Sequence, residues 1–228
     1  MLTTALLLAN AFALPQAAPP AQSQAQPATQ SHTQSQAEAA ATTLYMSDMG
    51  FTYGYPSGWE LVDTKPLLPA AQSQAQANAA DDPEKRGAAC AQIGFLARHG
   101  SPGSVILSLS MPFECFGSRF TQDQLPGVGE GMSLGIKSNF DITTSIKNTY
   151  KLGKHDMWIE RAKGASKGHP EAIYTIETAC AILDRGMVCL LGMVKDDAAL
   201  HLFEQGQVSL EGDPPSALVP ANIFAGQP

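Results

Sequence analysis

The stretch Ala172–Val194, AIYTIETACAILDRGMVCLLGMV, decides how this chain folds. Two runs rich in Ile, Leu, Val, Thr and Tyr flank Asp184-Arg185-Gly186, the composition of two strands joined by a tight turn. If Leu183 and Gly186 close the hairpin, counting outward sets Ile182 opposite Met187, Cys180 opposite Cys189 and Ile176 opposite Met193. Directly opposed residues of an antiparallel pair stand about 4.5–5.5 Å apart at their Cα atoms, a separation that a disulfide accepts. The apolar residues agree with that register, so Cys180 and Cys189 are expected to be bonded.

Similar signals lie upstream. Cys90 to Arg98 and Ser104 to Cys115 flank Gly100-Ser-Pro-Gly103, and Val105, Leu107, Leu109, Met111 and Phe113 alternate with serines, which predicts a hairpin with one apolar face. A turn centred on Pro102-Gly103 sets Cys90 opposite Cys115 and suggests a second disulfide. That register puts Ile93 and Phe95 beside Pro112 and Ser110, so either both faces are covered or a bulge shifts the strand. Four buried thiols, or a crossed pairing, are the other arrangements open to four cysteines.

The remaining elements follow in order. Aromatics alternate in Phe51–Tyr55 before the Pro56-Ser-Gly58-Trp59 turn, and a hairpin with Leu44–Met46 is expected. Thr121–Phe140 is helical by period, with Leu125, Val128, Met132, Ile136 and Phe140 on one stripe. Strands are expected at Ile142–Leu152 and Met157–Ala162. Asp196 or Asp197 can cap a short helix with Ala199, Leu200 and Phe203 inward and Gly206 as its stop, before a last strand through Val208 and Leu210. A helix through the Gln/Ala stretch Ala70–Ala80 is also expected, opened by Pro66 and broken at Asp81-Asp82-Pro83. The sum is an α+β fold, a mostly antiparallel sheet of about seven strands covered by helices, in one domain over 43–220 with a tail at 221–228.

Ahead of that domain, Leu2–Leu14 is an apolar run of 13 residues with Ala-x-Ala sites, the pattern of a signal peptide over 1–14 and too short for a membrane span. Residues 15–42 are Ala, Gln, Pro, Ser and Thr apart from His32 and Glu38, with Glu38 as the sole charge, the composition of a disordered tether. Export and four cysteines point together to an oxidising compartment, periplasmic or extracellular. No transmembrane segment is expected in the mature chain.

A net charge of −7 argues against nucleic acid as a partner, since phosphate binding needs a basic face. Between Lys137 and Lys167, however, seven basic residues stand against three acids. Lys147, Thr149 and Lys151 share one strand face, and Lys154, Arg161, Lys163 and Lys167 extend the positive region, a candidate surface for an envelope protein or another anionic partner.

Catalytic patterns are weak by comparison. Gly164-Ala-Ser166-Lys-Gly168 matches GxSxG, with His169 nearby, but a nucleophile elbow needs a strand-to-helix turn and the flanks here read as strands. Gly127-Val-Gly-Glu-Gly131 misses the spacing of a dinucleotide loop and reads as a packing helix. The five histidines show no metal-ligand spacing, His155-Asp156 reads as a solvated turn pair, and no catalytic, cofactor or metal residue is assigned.

The string Gly50-Phe-Thr-Tyr-Gly-Tyr55-Pro56-Ser-Gly58-Trp59, with the order of elements over about 43–212, resembles the PsbP-like family. Met157–Arg161 and Asp196–Leu200 are similar to segments of exported bacterial proteins with this domain. The resemblance implies an α/β/α sandwich and a non-catalytic binding or assembly role; the photosynthetic members support a metal cluster within a larger complex. Only the Tyr55-Pro56 to Trp59 turn is carried over, with a structural role, and the Gln/Ala-rich segments and four cysteines depart from the photosynthetic pattern. Two other roles remain open: a structural or stress-protective envelope protein without a specific ligand, and a small serine hydrolase using Ser166.

Overall fold

The computed structural model describes residues 43–55, 57–65, 91–100 and 103–224. The expected signal peptide, tether, Gln/Ala helix, Cys90, Asp81-Asp82, Pro56 and the end of the tail all lie outside the described residues. Among the described residues, no helix is long and apolar enough to cross a membrane.

Among the described residues, eleven strands form two antiparallel sheets. In chain order they are β1 (Thr43–Met46), β2 (Phe51–Tyr55), β3 (Glu60–Leu61), β4 (Gln92–His99), β5 (Ser104–Pro112), β6 (Phe140–Leu152), β7 (His155–Ser166), β8 (His169–Leu183), β9 (Gly186–Val194), β10 (Gln207–Leu210) and β11 (Ser216–Ala217). Helices α1 (Leu125–Asn139) and α2 (Asp197–Glu204) complete the core elements. The large sheet runs β3-β4-β5-β9-β8-β7-β6 and the small one β1-β2-β10-β11.

The β8–β9 hairpin lies at the heart of the large sheet in the register its sequence implies. Leu183 opposes Gly186, Cys180 opposes Cys189 and Ile176 opposes Met193. Every residue of β9 is buried. Its one face, with Met187, Cys189, Leu191 and Met193, packs beneath α1; the other, with Val188, Leu190 and Val194, packs beneath the small sheet and α2. Cover on both faces is why GMVCLLGMV shows no polar alternation.

Helix cover is thus present on both faces, but α2 shares its side with a four-stranded sheet that the chain pattern did not disclose. That sheet forms because β2 and β10, some 150 residues apart, pair through Tyr53 opposite Val208. Its aromatic strand drives the packing: Phe51, Tyr53 and Tyr55 are buried, and Phe95 stacks between Tyr53 at 5.7 Å and Tyr55 at 5.9 Å. Trp59 is buried against His99 at 5.5 Å, so the turn after β2 is anchored in the same cluster.

The register expected for β4 and β5 is corrected. Ile93 opposes Leu109 and Phe95 opposes Ser108, with a bulge at Gly94 between them. A side chain at Gly94 would meet Tyr45 Oη at 2.2 Å and Ser108 Oγ at 2.6 Å, so only glycine fits the bulge. Ser108 Oγ then accepts the Phe95 N–H at 3.1 Å. This hairpin does not have one apolar face: Ser104, Ser108 and Ser110 are as buried as the leucines between them. Cys115, in a 3₁₀ turn at Phe113–Cys115, is half-buried.

The expected helix Thr121–Phe140 divides. A 3₁₀ turn, Gln122–Gln124, is closed by a Thr121–Gln124 capping box, α1 follows, and Phe140 already opens β6. Leu125, Val128, Met132 and Ile136 are buried as the period implies. Gly129 is there because α1 lies directly on the indole of Trp158, where an added Cβ would stand 2.1 Å from Cδ2. Helix α2 is capped by Asp196, whose Oδ1 accepts the Ala199 N–H at 2.8 Å. Asp196→Ala is expected to cost about 1 kcal/mol in urea denaturation; an unchanged midpoint would show that the cap contributes nothing.

Candidate functional site

Sheet geometry decides where the basic residues of β6 and β7 point. In β6, Lys147 reaches Glu130 of α1, while Asn148 and Tyr150 reach the C-terminal segment on the opposite side. Lys147, Thr149 and Lys151 therefore share the α1 side, as the strand period implies. In β7, Trp158 packs toward α1 and Ile159 toward the small sheet, so Arg161 and Lys163 lie on the small-sheet side. The positive residues are split between two faces.

They are also largely neutralised by residues from elsewhere in the chain. Lys147 pairs with Glu130 at 2.6 Å, Lys151 with Asp156 at 2.8 Å and Lys154 with Asp213 at 3.9 Å. Arg161 binds Glu177 at 2.8 Å and also Glu204. Lys167 Nζ donates to the carbonyls of Lys137 and Ser138, at 3.1 Å and 3.0 Å, in the last turn of α1, where a cation complements the helix dipole. Lys163 alone of the six has neither an acidic nor a carbonyl partner for its ammonium among the described residues. The local excess of positive charge belongs to the sequence window; in space, Glu130, Glu204 and Asp213 offset it.

The least ordinary electrostatics surround Arg161. Glu177, fully buried on β8, accepts from Arg161 Nε, and Glu204, from the end of α2, accepts from Nη2. Glu177 Oε1 makes no hydrogen bond. Burial, opposed by the guanidinium and reinforced by Glu204, pushes the Glu177 carboxyl up to about 8. Tyr53 donates to the Phe203 carbonyl and Tyr150 to that of Leu218, and burial next to Glu177 drives both phenols upward. Glu177 therefore keeps its proton beside an Arg161 guanidinium that Glu204 also binds. The sequence carried one signal of this group, a single acid at 177 inside a run of apolar and Thr residues.

On the α1 side, Glu160 is also buried, 3.7 Å from Lys137 Nζ, and it accepts from the Ser145 hydroxyl. The crevice beside it is too narrow to admit a water molecule. Ser133 Oγ and Thr178 Oγ1, both buried there, make no hydrogen bond.

The remaining sequence candidates fall into structural places. Ser166 and His169 oppose each other across the Lys167-Gly168 turn of the β7–β8 hairpin, so GxSxG lies in a strand-to-strand turn. Gly127–Gly131 lies within α1. His155 is buried rather than solvated: its Nε2 is 3.3 Å from Glu211 Oε2 and 4.0 Å from Asp213 Oδ2, while Asp156 turns away to Lys151. Among the described residues, no group of three or more His, Cys, Asp or Glu side chains is arranged to hold a metal ion.

The Cys180–Cys189 disulfide is formed, with Cα atoms 4.1 Å apart and both residues inaccessible beneath α1. It closes a loop of nine residues, for which chain entropy gives about 2–3 kcal/mol. The double replacement Cys180→Ala and Cys189→Ala is expected to lower stability by that amount; equal urea midpoints for variant and oxidised parent would contradict it. The pairing of Cys115 with Cys90 is not described, because Cys90 lies outside the described residues.

No protein-family model matches the chain, and no curated protein is similar to it in sequence.

Proposed function

We propose that this chain is an exported protein of the cell envelope, periplasmic or secreted, whose α+β domain binds or assembles with a partner and performs no catalysis. The observation that carries this reading is the Cys180–Cys189 bridge across the central strand pair of the sheet. Such bridges form and persist where the surroundings are oxidising, and the apolar run at Leu2–Leu14 supplies a route there. The resemblance to the PsbP-like family, which implies a non-catalytic binding or assembly role, supports the same reading. The partner is an anionic envelope component, met through Lys163, the one of the six basic residues with neither an acidic nor a carbonyl partner among the described residues.

The full-length oxidised chain, immobilised and exposed to an envelope extract, tests this. A specific partner retained by the parent and reduced at least tenfold by Lys163→Glu is the expected result. Equal retention by both proteins would remove Lys163 from the interface. Retention of nothing by either would favour the second reading, a structural envelope protein without a specific ligand. That reading draws its support from the internal pairing of Lys147, Lys151, Lys154 and Arg161.

A further inference from the structure

Beyond β11 the chain turns back and covers the Arg161 group. The Leu218 N–H donates to the Gly206 carbonyl at 2.9 Å and the Val219 N–H to the Glu204 carbonyl at 3.1 Å. Tyr150 donates to the Leu218 carbonyl, and Asn148 Nδ2 to that of Ile223 at 2.8 Å. The Phe224 ring lies 4.0 Å from the Arg161 guanidinium carbon, a cation–π contact. Three of these five attachments are made by Arg161, Glu204 and Tyr150, residues that surround Glu177. The segment itself, LVPANIF, has no titratable side chain.

We propose that residues 218–224 form a strap over the Arg161–Glu177–Glu204 group, closed while Glu177 holds its proton and released when that proton is lost. With the proton bound, one guanidinium balances one carboxylate. Without it, two carboxylates face one guanidinium, and one of the two, Glu177, is fully buried. The groups that face Glu177 are Arg161 from β7, Glu204 from α2, Tyr53 from β2 and Tyr150 from β6. Neither tyrosine can serve the new charge, because each hydroxyl already donates to a backbone carbonyl. Glu177 cannot move, being inside the central sheet. Glu204 can: it ends α2 and is partly exposed, and its own carbonyl holds Val219. Its outward displacement pulls on the strap, and Phe224 then loses the cation beneath it. Glu177, raised to about 8, gives up its proton as the pH rises through that value, which places release in mildly alkaline surroundings.

Amide hydrogen exchange on the full-length oxidised protein tests this, with protection factors taken relative to unstructured peptides at each pH. Between pH 6 and pH 9.5 the protection of 218–224 is expected to fall at least tenfold in the parent, while β8 and β9 stay protected. In Glu177→Gln, which keeps the shape and cannot ionise, strap protection is expected to be the same at both pH values. Glu204→Gln provides a second route should Glu177→Gln not fold: Glu177 then ionises against Arg161 alone, and the strap is expected to stay closed. Constant protection in the parent, or the same loss in a folded carboxamide variant, would overturn the proposal.

Discussion

Gly129→Val is expected to be among the most damaging single substitutions in the domain. The Cα of Gly129 rests against Trp158, and the first added carbon would lie 2.1 Å from Cδ2 and 2.4 Å from Cε2 of the indole. Those atoms belong to a rigid ring inaccessible between helix and sheet, so the clash cannot be relieved by rotating a flexible side-chain end. Either α1 lifts and opens the cluster of Val128, Met132, Ile136, Cys180 and Cys189 beneath it, or the indole leaves its rotamer. Overpacking of this kind costs about 1–3 kcal/mol and more when backbone must move, so a loss of about 3 kcal/mol or complete unfolding is expected in urea denaturation. Gly127, two residues away, meets no heavy atom within 4 Å of an added Cβ. Gly127→Ala is therefore expected to gain up to about 1 kcal/mol from helix propensity alone. Equal effects at the two glycines would mean that α1 does not rest on Trp158.

The second large effect is a pH dependence. The Glu177 carboxyl stands at about 8 in the folded protein against an ordinary 4.5, so the folded state keeps a proton that the unfolded chain releases. Below 4.5 both states are protonated and the group exacts no penalty. As pH rises from there to about 8 the unfolded state gains the advantage of ionising, and stability falls; above 8 the loss is complete. The span corresponds to a loss on the order of 5 kcal/mol. Glu177→Gln is expected to match the parent near pH 4.5 and to exceed it by a few kcal/mol at pH 9. Parallel stability profiles for the two proteins would show that Glu177 is ionised throughout, paired with Arg161.

Legibility in the sequence followed the range of the interaction. The β8–β9 register was readable because a two-residue turn and two apolar faces agree over a few residues, and the disulfide followed from that register alone. The cap of α2 was readable for the same reason. Gly94 was not, since the need for glycine comes from Tyr45 and Ser108, which the chain brings there from other strands. Nor was the small sheet, whose β2–β10 pairing joins distant segments with no mutual pattern. The basic hairpin shows the same limit in electrostatics. Charges counted along Lys137–Lys167 omit Glu130, Glu204 and Asp213, and these are the partners that folding supplies. Glu177 itself was hidden in plain view, because one acid among apolar residues signals burial only once both faces of its strand are known to be covered.

The central claim, an exported domain locked by a buried disulfide, is tested most directly by the redox state of Cys180 and Cys189 in cells producing the full-length chain. Cells are quenched with acid, fractionated, alkylated with one reagent before reduction and a second after it, and the peptide spanning both residues is read by mass spectrometry. Export predicts that this peptide is found in the envelope or medium and that both cysteines carry only the second label. A cytosolic protein whose Cys180 and Cys189 carry the first label would contradict the account.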